Sequence, residues 1–429
     1  MRIAMFTNNY KPFLGGVPIS IERLANGLRE LGHTVYIFAP SYEGQIEEEY
    51  VIRYKSYKKG LIYNKGLVDN KIVIPNVLDY AIESAFSHLD FDIIHVHHPM
   101  LIGNIALRLG KKYNIPVTFT YHTRYEQYLH NIKAFNVLEE QYKNEENKYL
   151  SKLEGKIISY TKENLVPSYM KRFVNKCELI FAPTNLIRDY LEKVGAESEI
   201  QVMPTGLDVN YFNENKEVSN EIRNKYIEDK KYLFCTVSRL TKEKNIEFII
   251  DGVSEIKSRV GDIFNLMVIG DGPLKEELKE KARALGIEKN IKFLNSVSNE
   301  AIGDYYRAAD MFLFASKSET QGIVLLEAMA AKNPVIAIEA TGVADVVKNG
   351  VNGYMTKENI GEWSDKVIQV IENVEENGNL KKGAFITAQK YLNSDIAQIA
   401  ESSYERAIES YYGKAYEIIG DKKYMASAR

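Results

Sequence analysis

At 429 residues the chain is too long for one ordinary core, so at least two domains are expected. With 45% apolar and 26% charged residues it has the profile of a folded protein rather than a disordered or fibrous one. A formal net charge of −3 gives no general pull toward nucleic acid; 25 Lys+Arg against 23 Asp+Glu up to residue 205, and 30 against 35 beyond it, leave only a slightly basic first half. The two cysteines, Cys177 and Cys235, have neither metal-ligand spacing nor a disulfide framework, which suits a reducing cytoplasm. No apolar run approaches a membrane span, and the opening MRIAMFTNNYKP lacks the apolar core of a secretory leader. Any membrane contact is therefore expected to be peripheral; a cytoplasmic location is expected, with attachment to the inner face of the cell membrane as the alternative to a free chain.

In chain order, RIAMFT (2–7) reads as the first strand. The turn NNYKPFLGGVP follows, and its Gly15-Gly16 pair opens the helical pattern ISIERLANGLRELG (19–32), which Gly32 ends as a C-cap signal. Glycine amides at a helix N-terminus suit a phosphate. A plain turn explains the pair equally well, because the third glycine of a dinucleotide fingerprint is missing. TVYIFAP (34–40), DIIHVHH (92–98), PVTFTYH (116–122) and ELIFAPT (178–184) continue the strand series. His122 closes one of them and is expected to face the ligand side, where it donates to a substrate hydroxyl or to a departing phosphate, or serves as a structural strand-end histidine. Glu126 and His130 share a helical face at i, i+4, but the HExxH order is absent and no zinc site is expected. Residues 131–176 break the alternation and read as an inserted, mainly helical segment.

VMPTGLDVNYF (202–212) marks the junction, where Pro204 and Gly206 interrupt the periodicity. The second series is YLFCTVSRL (232–240), NLMVIGDG (265–272), IKFLNSV (291–297), MFLFAS (311–316) and PVIAIEA (334–340). Several of these are nearly continuous apolar runs, as parallel strands buried on both faces require. The α/β alternation gives two doubly wound Rossmann-like domains, 1–205 and 206–395, facing a central cleft at their strand ends. The last stretch, 396–429, is helical; composition leaves open which domain it packs on, and a return onto the N-terminal domain is one of the two options.

Two motifs of the second series carry chemistry. In SRLTKEKN (238–245), Arg239 and Lys244 follow a buried-type strand and can clamp a diphosphate, whose charge grows as a bond to it breaks. Alone, the pair also reads as two solvated loop residues. In SETQGIVLLEAMAA (318–331), Ser316, Ser318 or Glu319 is expected to start a helix whose free amides lie near Gly322 and Ile323. Glu319 and Glu327 stand eight positions apart and suit hydroxyl donors; the plain alternatives are a dipole complement and a pairing with a nearby lysine.

Taken together, GGVP, the strand-end YHT, SRLTKEKN, GDGP (270–273) and ETQGIVLLE resemble the retaining glycosyltransferases of family 4, which have the GT-B fold, over essentially the whole chain. The resemblance implies that Arg239 and Lys244 bind the donor diphosphate and that Glu327 holds its ribose. It implies that Glu319 meets the donor sugar and that the backbone of Gly322, Ile323 and Val324 contacts phosphate and sugar. It puts His122 by the reacting centre, Gly16 near the phosphates and Val297 near the base. No cofactor is implied, and no divalent metal as a structural ligand.

A narrower match, HHPMLIGNIAL, TYHTRYEQYLHN and RFVNKCELIFAPT, looks like the bacterial diacylglycerol glucosyltransferases. It implies glucose transfer from UDP-glucose to a diacylglycerol at an anionic membrane surface. Lys55, Lys58, Lys59 and Tyr63, with Arg124 and Tyr125, are the membrane and acceptor residues expected on that reading. The alternatives are a polysaccharide, teichoic acid or small soluble acceptor, with GDP-mannose or UDP-GlcNAc as donor, or a non-catalytic sugar-nucleotide-binding protein.

Overall fold

The computed structural model describes residues 1–12, 15–42, 45, 47–57, 74–76, 79–123, 165–213 and 216–427. They fall into two units, Met1–Pro204 with Ile396–Arg429, and Thr205–Asp395. Lys58, Lys59, Tyr63, Arg124, Tyr125, the Glu126/His130 pair and most of the 131–176 segment lie outside the described residues.

The first unit is built on β1 (Arg2–Phe6), β2 (Thr34–Pro40) and β3 (Val51–Tyr54), a separate antiparallel pair β4 (Ser56–Tyr57) and β5 (Ile74–Pro75), then β6 (Ile93–Val96), β7 (Val117–Thr120), β8 (Leu179–Ala182) and β9 (Glu199–Val202). Its main sheet is all parallel, in the order β3-β2-β1-β6-β7-β8-β9. Alternate residues of each strand feed opposite layers, as the two-residue period requires. Ala4 and Phe6 join Phe38, Phe86, Leu109 and Phe173 on one face. Ile3 and Met5 join Leu24, Leu28 and Phe181 on the other.

That second face is completed by the last helix, Asn393–Ser427. Its Ile396, Ala400, Tyr404 and Ala407 are buried in the same cluster, so the terminal segment packs on the first unit. Burial of Ile396 and Tyr404 contributes on the order of 2 kcal/mol each.

The second unit carries β10 (Tyr232–Val237), β11 (Phe264–Ile269), β12 (Ile291–Leu294), β13 (Met311–Phe314), β14 (Val335–Ile338) and β15 (Gly353–Thr356). They too are all parallel, in the order β12-β11-β10-β13-β14-β15. Phe234, Leu266 and Leu313 face helices Ile246–Val260 and Ile360–Glu372, where Trp363 packs into the space beside Gly252. Cys235, Met267 and Phe312 face helices Ile302–Ala308 and Ile323–Ala330. Each sheet is thus sandwiched between helices, which accounts for continuous apolar strands such as LIFA in β8 and MFLF in β13.

Candidate functional site

In the second unit the sheet grows outward from β10 to β12, then restarts at β13 on the other side of β10. Ligands of such sheets bind beyond the carboxyl ends at this reversal. The two segments leaving β10 and β13 carry the residues singled out in the sequence.

After β10 the chain runs through Ser238, Arg239, Leu240 and Thr241 into a 3₁₀ turn, Lys242–Lys244. The segment is held from below. Ser238 N–H donates to the Ile269 carbonyl at 3.1 Å, and Leu240 N–H to that of Asp271 at 3.0 Å. The GDGP turn presses so closely that a Cβ on Gly270 would lie 1.9 Å from the Ser238 carbonyl oxygen, and one on Gly272 2.4 Å from that of Leu240. Glycine is required at both positions by close approach of backbone to backbone.

After β13 the chain reaches Gly322, at φ 72°, which is the N-cap of the helix Ile323–Ala330 without a side-chain cap. This corrects the expectation that Ser316, Ser318 or Glu319 starts the helix. The left-handed turn at Gly322 directs the chain into its first helical residue, and the earlier side chains are engaged elsewhere: Ser316 Oγ donates to the Glu243 carbonyl at 3.4 Å. With no capping side chain over it, the first turn suits an anion. Ile323 and Val324 in that turn are half-buried.

The two segments are joined side by side. Lys317 N–H donates to the Glu243 carbonyl at 2.9 Å. Lys244 Nζ lies 2.6 Å from Glu319 Oε1, with the side chains only 18% and 15% exposed. Arg239 is more open, at 53%, and its guanidinium lies 3.8 Å from Glu243 Oε1. The arrangement offers one shielded cation, Lys244, one more exposed cation, Arg239, and two carboxylates, Glu319 and Glu243, within a single patch.

Glu327 is 5% exposed and accepts from Tyr306 Oη at 3.1 Å. Burial, then the Glu327 charge, raises the Tyr306 phenol well above its ordinary pKa, so it remains a donor. Tyr306 was not foreseen; no spacing rule connects it to Glu327 across 21 positions. Gln321 was also missed. It is buried, accepts Thr205 N–H at 2.6 Å and donates to the Thr205 carbonyl at 3.1 Å, tying the first residue of the unit to the segment before Gly322. Val297 is partly buried in the loop after β12.

In the first unit the sheet reverses between β1 and β6. Beyond β1, Gly15 precedes the helix Gly16–Glu30, which has no acid in its first turn, and a Cβ on Gly16 would meet nothing within 4 Å. Lys55 is exposed just after β3, its backbone N–H donating to Asp79.

A group of histidines stands in β6 and beyond the ends of β6 and β7. His95 Nδ1 lies 2.6 Å from Tyr404 Oη and its Nε2 2.6 Å from Thr120 Oγ1. His97 Nδ1 lies 2.8 Å from His122 Nε2. His98 Nδ1 accepts Asn8 N–H at 3.2 Å. Of these the sequence reading singled out His122; the alternation that puts His95 and His97 on one face of β6 was the available signal.

Burial pushes His95 down to about 3 and His98 to about 4. Burial first, and neighbouring histidines second, hold His97 and His122 well below the usual range. These rings are uncharged in the folded protein and take up protons on unfolding. Stability is therefore complete above the unfolded histidine pKa of about 6.5 and is lost as pH falls below it. His95 alone is expected to remove about 2 kcal/mol by about pH 5. Thermal melts between about pH 7 and about pH 5 should show a falling Tm, with a flatter slope in His95→Gln. Identical slopes would reject the contribution.

Comparison with known proteins bears on the fold and the family. The description "Glycosyltransferase Family 4" matches residues 14–211, and "Glycosyl transferases group 1" matches residues 218–386. The alpha-monoglucosyldiacylglycerol synthase of Acholeplasma laidlawii is 30% identical over 414 residues, covering 94% of this chain and 96% of that protein. The synthase of the same name from Streptococcus pneumoniae is 30% identical over 354 residues, covering 79% and 71%. Among solved structures, HepE of Anabaena in complex with UDP and glucose superposes with a TM-score of 0.69 at 18% identity, covering 94% of this chain and 100% of that one. The chain belongs to the family 4 glycosyltransferases, enzymes of the GT-B fold with two Rossmann-like domains.

Proposed function

We propose that this enzyme transfers glucose from UDP-glucose to the free hydroxyl of a diacylglycerol at an anionic membrane surface, with retention of configuration. The observation that carries the donor half is the Lys244–Glu319 pair at the strand reversal of the second unit. A diphosphate seated against Lys244, Arg239 and the first turn of the helix Ile323–Ala330 meets positive charge from each. Glu319 then accepts from a sugar hydroxyl, Glu327 from the ribose, and Val297 lies toward the base. Gly16 serves the phosphates, and His122 donates to a substrate hydroxyl.

In the step itself the bond from the sugar C1 to the β-phosphate oxygen breaks, and a bond from C1 to the acceptor oxygen forms on the same face. The acceptor proton passes to the departing phosphate, giving UDP. Arg239 and Lys244 stabilise the charge that develops there, so the reading calls on no metal for the diphosphate. The acceptor half rests on the likeness to two proteins named alpha-monoglucosyldiacylglycerol synthase, and UDP and glucose in the HepE complex support the donor. Among the described residues no helix is long and apolar enough to cross a membrane, so the reading uses surface attachment, through Lys55 and the basic and aromatic residues that follow it.

The test is purified protein with UDP-glucose and liposomes of diacylglycerol and anionic lipid, followed by UDP release and glycolipid analysis. The expected product is an α-glucosyl diacylglycerol, formed equally well with EDTA present. Turnover with soluble acceptors alone would overturn the lipid acceptor; release of GDP from GDP-mannose in preference to UDP from UDP-glucose would overturn the donor.

A further inference from the structure

The histidines beyond β6 and β7 carry an inference that rests on the role just given to His122. His97 is fully buried, and among the described residues its Nε2 has no hydrogen-bond partner. Its Nδ1 faces His122 Nε2 at 2.8 Å, with the ring planes 24° apart. On its other side it lies against His95, ring centroids 4.2 Å apart, and that ring has both nitrogens engaged, by Tyr404 and Thr120.

Two neutral imidazoles joined by one hydrogen bond allow two arrangements. If His122 Nε2–H donated, His97 would carry its own proton on Nε2, buried and without an acceptor. If His97 Nδ1–H donates, Nε2 is left as a bare lone pair. Orphaned buried N–H groups are rarer and costlier than under-satisfied acceptors, so the second arrangement is favoured. It fixes the other ring as well: with Nε2 accepting, neutral His122 carries its proton on Nδ1.

We propose that His97 is a positioning residue that locks His122 in the Nδ1–H form, so that His122 serves the transfer as a neutral hydrogen-bond donor and not as a base. The lone pair a base would need is already occupied by His97. A neutral donor here fits the step given above, in which the departing phosphate takes the acceptor proton.

The protein labelled with ¹⁵N-histidine reports this directly. Long-range ¹H–¹⁵N correlation at neutral pH, assigned by the signal lost in His122→Gln, should show His122 protonated at Nδ1 and bare at Nε2. His97→Leu should release the ring to the Nε2–H form and lower kcat roughly tenfold to a hundredfold, the range typical when an orienting partner is lost, with KM for the sugar nucleotide little changed. His97→Asn, whose amide N–H can stand where Nδ1–H stood, should restore both tautomer and rate. An Nε2–H signal in the unmodified protein overturns the proposal without reliance on any His97 variant. So does a tautomer that ignores His97→Leu. If the tautomer is as stated but His122→Gln transfers as fast as the native enzyme, the positioning role falls with the function given to His122, while the tautomer stands.

Discussion

Lys244→Ala is expected to lower kcat/KM for sugar transfer about 10²–10³-fold, the scale seen when one fixed donor to a developing oxyanion is removed. The size of the effect follows from where the ammonium is held. Lys244 sits at the end of a 3₁₀ turn that follows Ser238 and Leu240, whose backbone is fixed against the GDGP turn, and its side chain is 18% exposed. A charge so shielded acts through less water than a surface lysine, so its effect on the departing diphosphate is large. Glu319 orients it at 2.6 Å and must share it when the donor arrives. Glu319→Gln keeps the size of the partner and removes its charge. That variant should cost less in turnover than Lys244→Ala, because the cation itself remains. The measurement is UDP release per folded protein, with melts run in parallel. If Lys244→Ala merely lowered Tm and left kcat/KM intact, the pair would be a structural ion pair and the donor assignment would fail.

Glu327→Ala is the second large effect expected. A hydrogen bond to a charged acceptor contributes about 1.5–3 kcal/mol, so losing the ribose contact should raise KM for UDP-glucose roughly tenfold to a hundredfold. The inhibition constant of the product UDP should rise with it, since UDP carries the same ribose; a change confined to kcat would point to the sugar instead. The variant also strands the Tyr306 hydroxyl, which is fully buried and donates to Glu327. Stability should therefore fall by about 1–3 kcal/mol as well. Tyr306→Phe separates the two consequences. It leaves the carboxylate in place with one fewer restraint, so KM should rise only severalfold. An unchanged KM in Glu327→Ala rejects the ribose role outright.

The legible part of the fold was its buried middle. β1, β2, β6, β7, β8, β10, β11, β13 and β14 are covered on both faces, and continuous apolar runs such as LIFA and MFLF announce them. The three missed strands of the main sheets, β3, β9 and β15, are all sheet edges. Having one neighbour, an edge strand needs less apolar sequence: EIQV in β9 has no fully buried residue. GYMT in β15 begins with Gly353, which reads as a turn, yet only glycine fits there, because a Cβ would lie 2.0 Å from the Val335 carbonyl oxygen. The candidate site was legible where charged residues follow strand ends, as with Arg239, Lys244 and Glu319, which the structure brings into one patch. It was illegible where a side chain acts through another. Tyr306, Gln321 and His97 lie in ordinary apolar or polar surroundings, and what each touches is decided by packing.

The terminal helix Asn393–Ser427 has a further meaning for the order in which the chain becomes stable. Ile396, Tyr404 and Ala407 close a layer whose other members, Ile3, Met5 and Phe181, are made hundreds of residues earlier. Nascent residues 1–204 therefore emerge with that layer open, while the second unit, Thr205–Asp395, is one continuous stretch of chain. Contacts of such wide sequence separation form late, because the intervening chain must be ordered first. On the ribosome the second unit is thus complete as a stretch of chain before the first, although synthesis of the first begins earlier, and the apolar face of β1 and β8 is the surface a holding chaperone would find exposed.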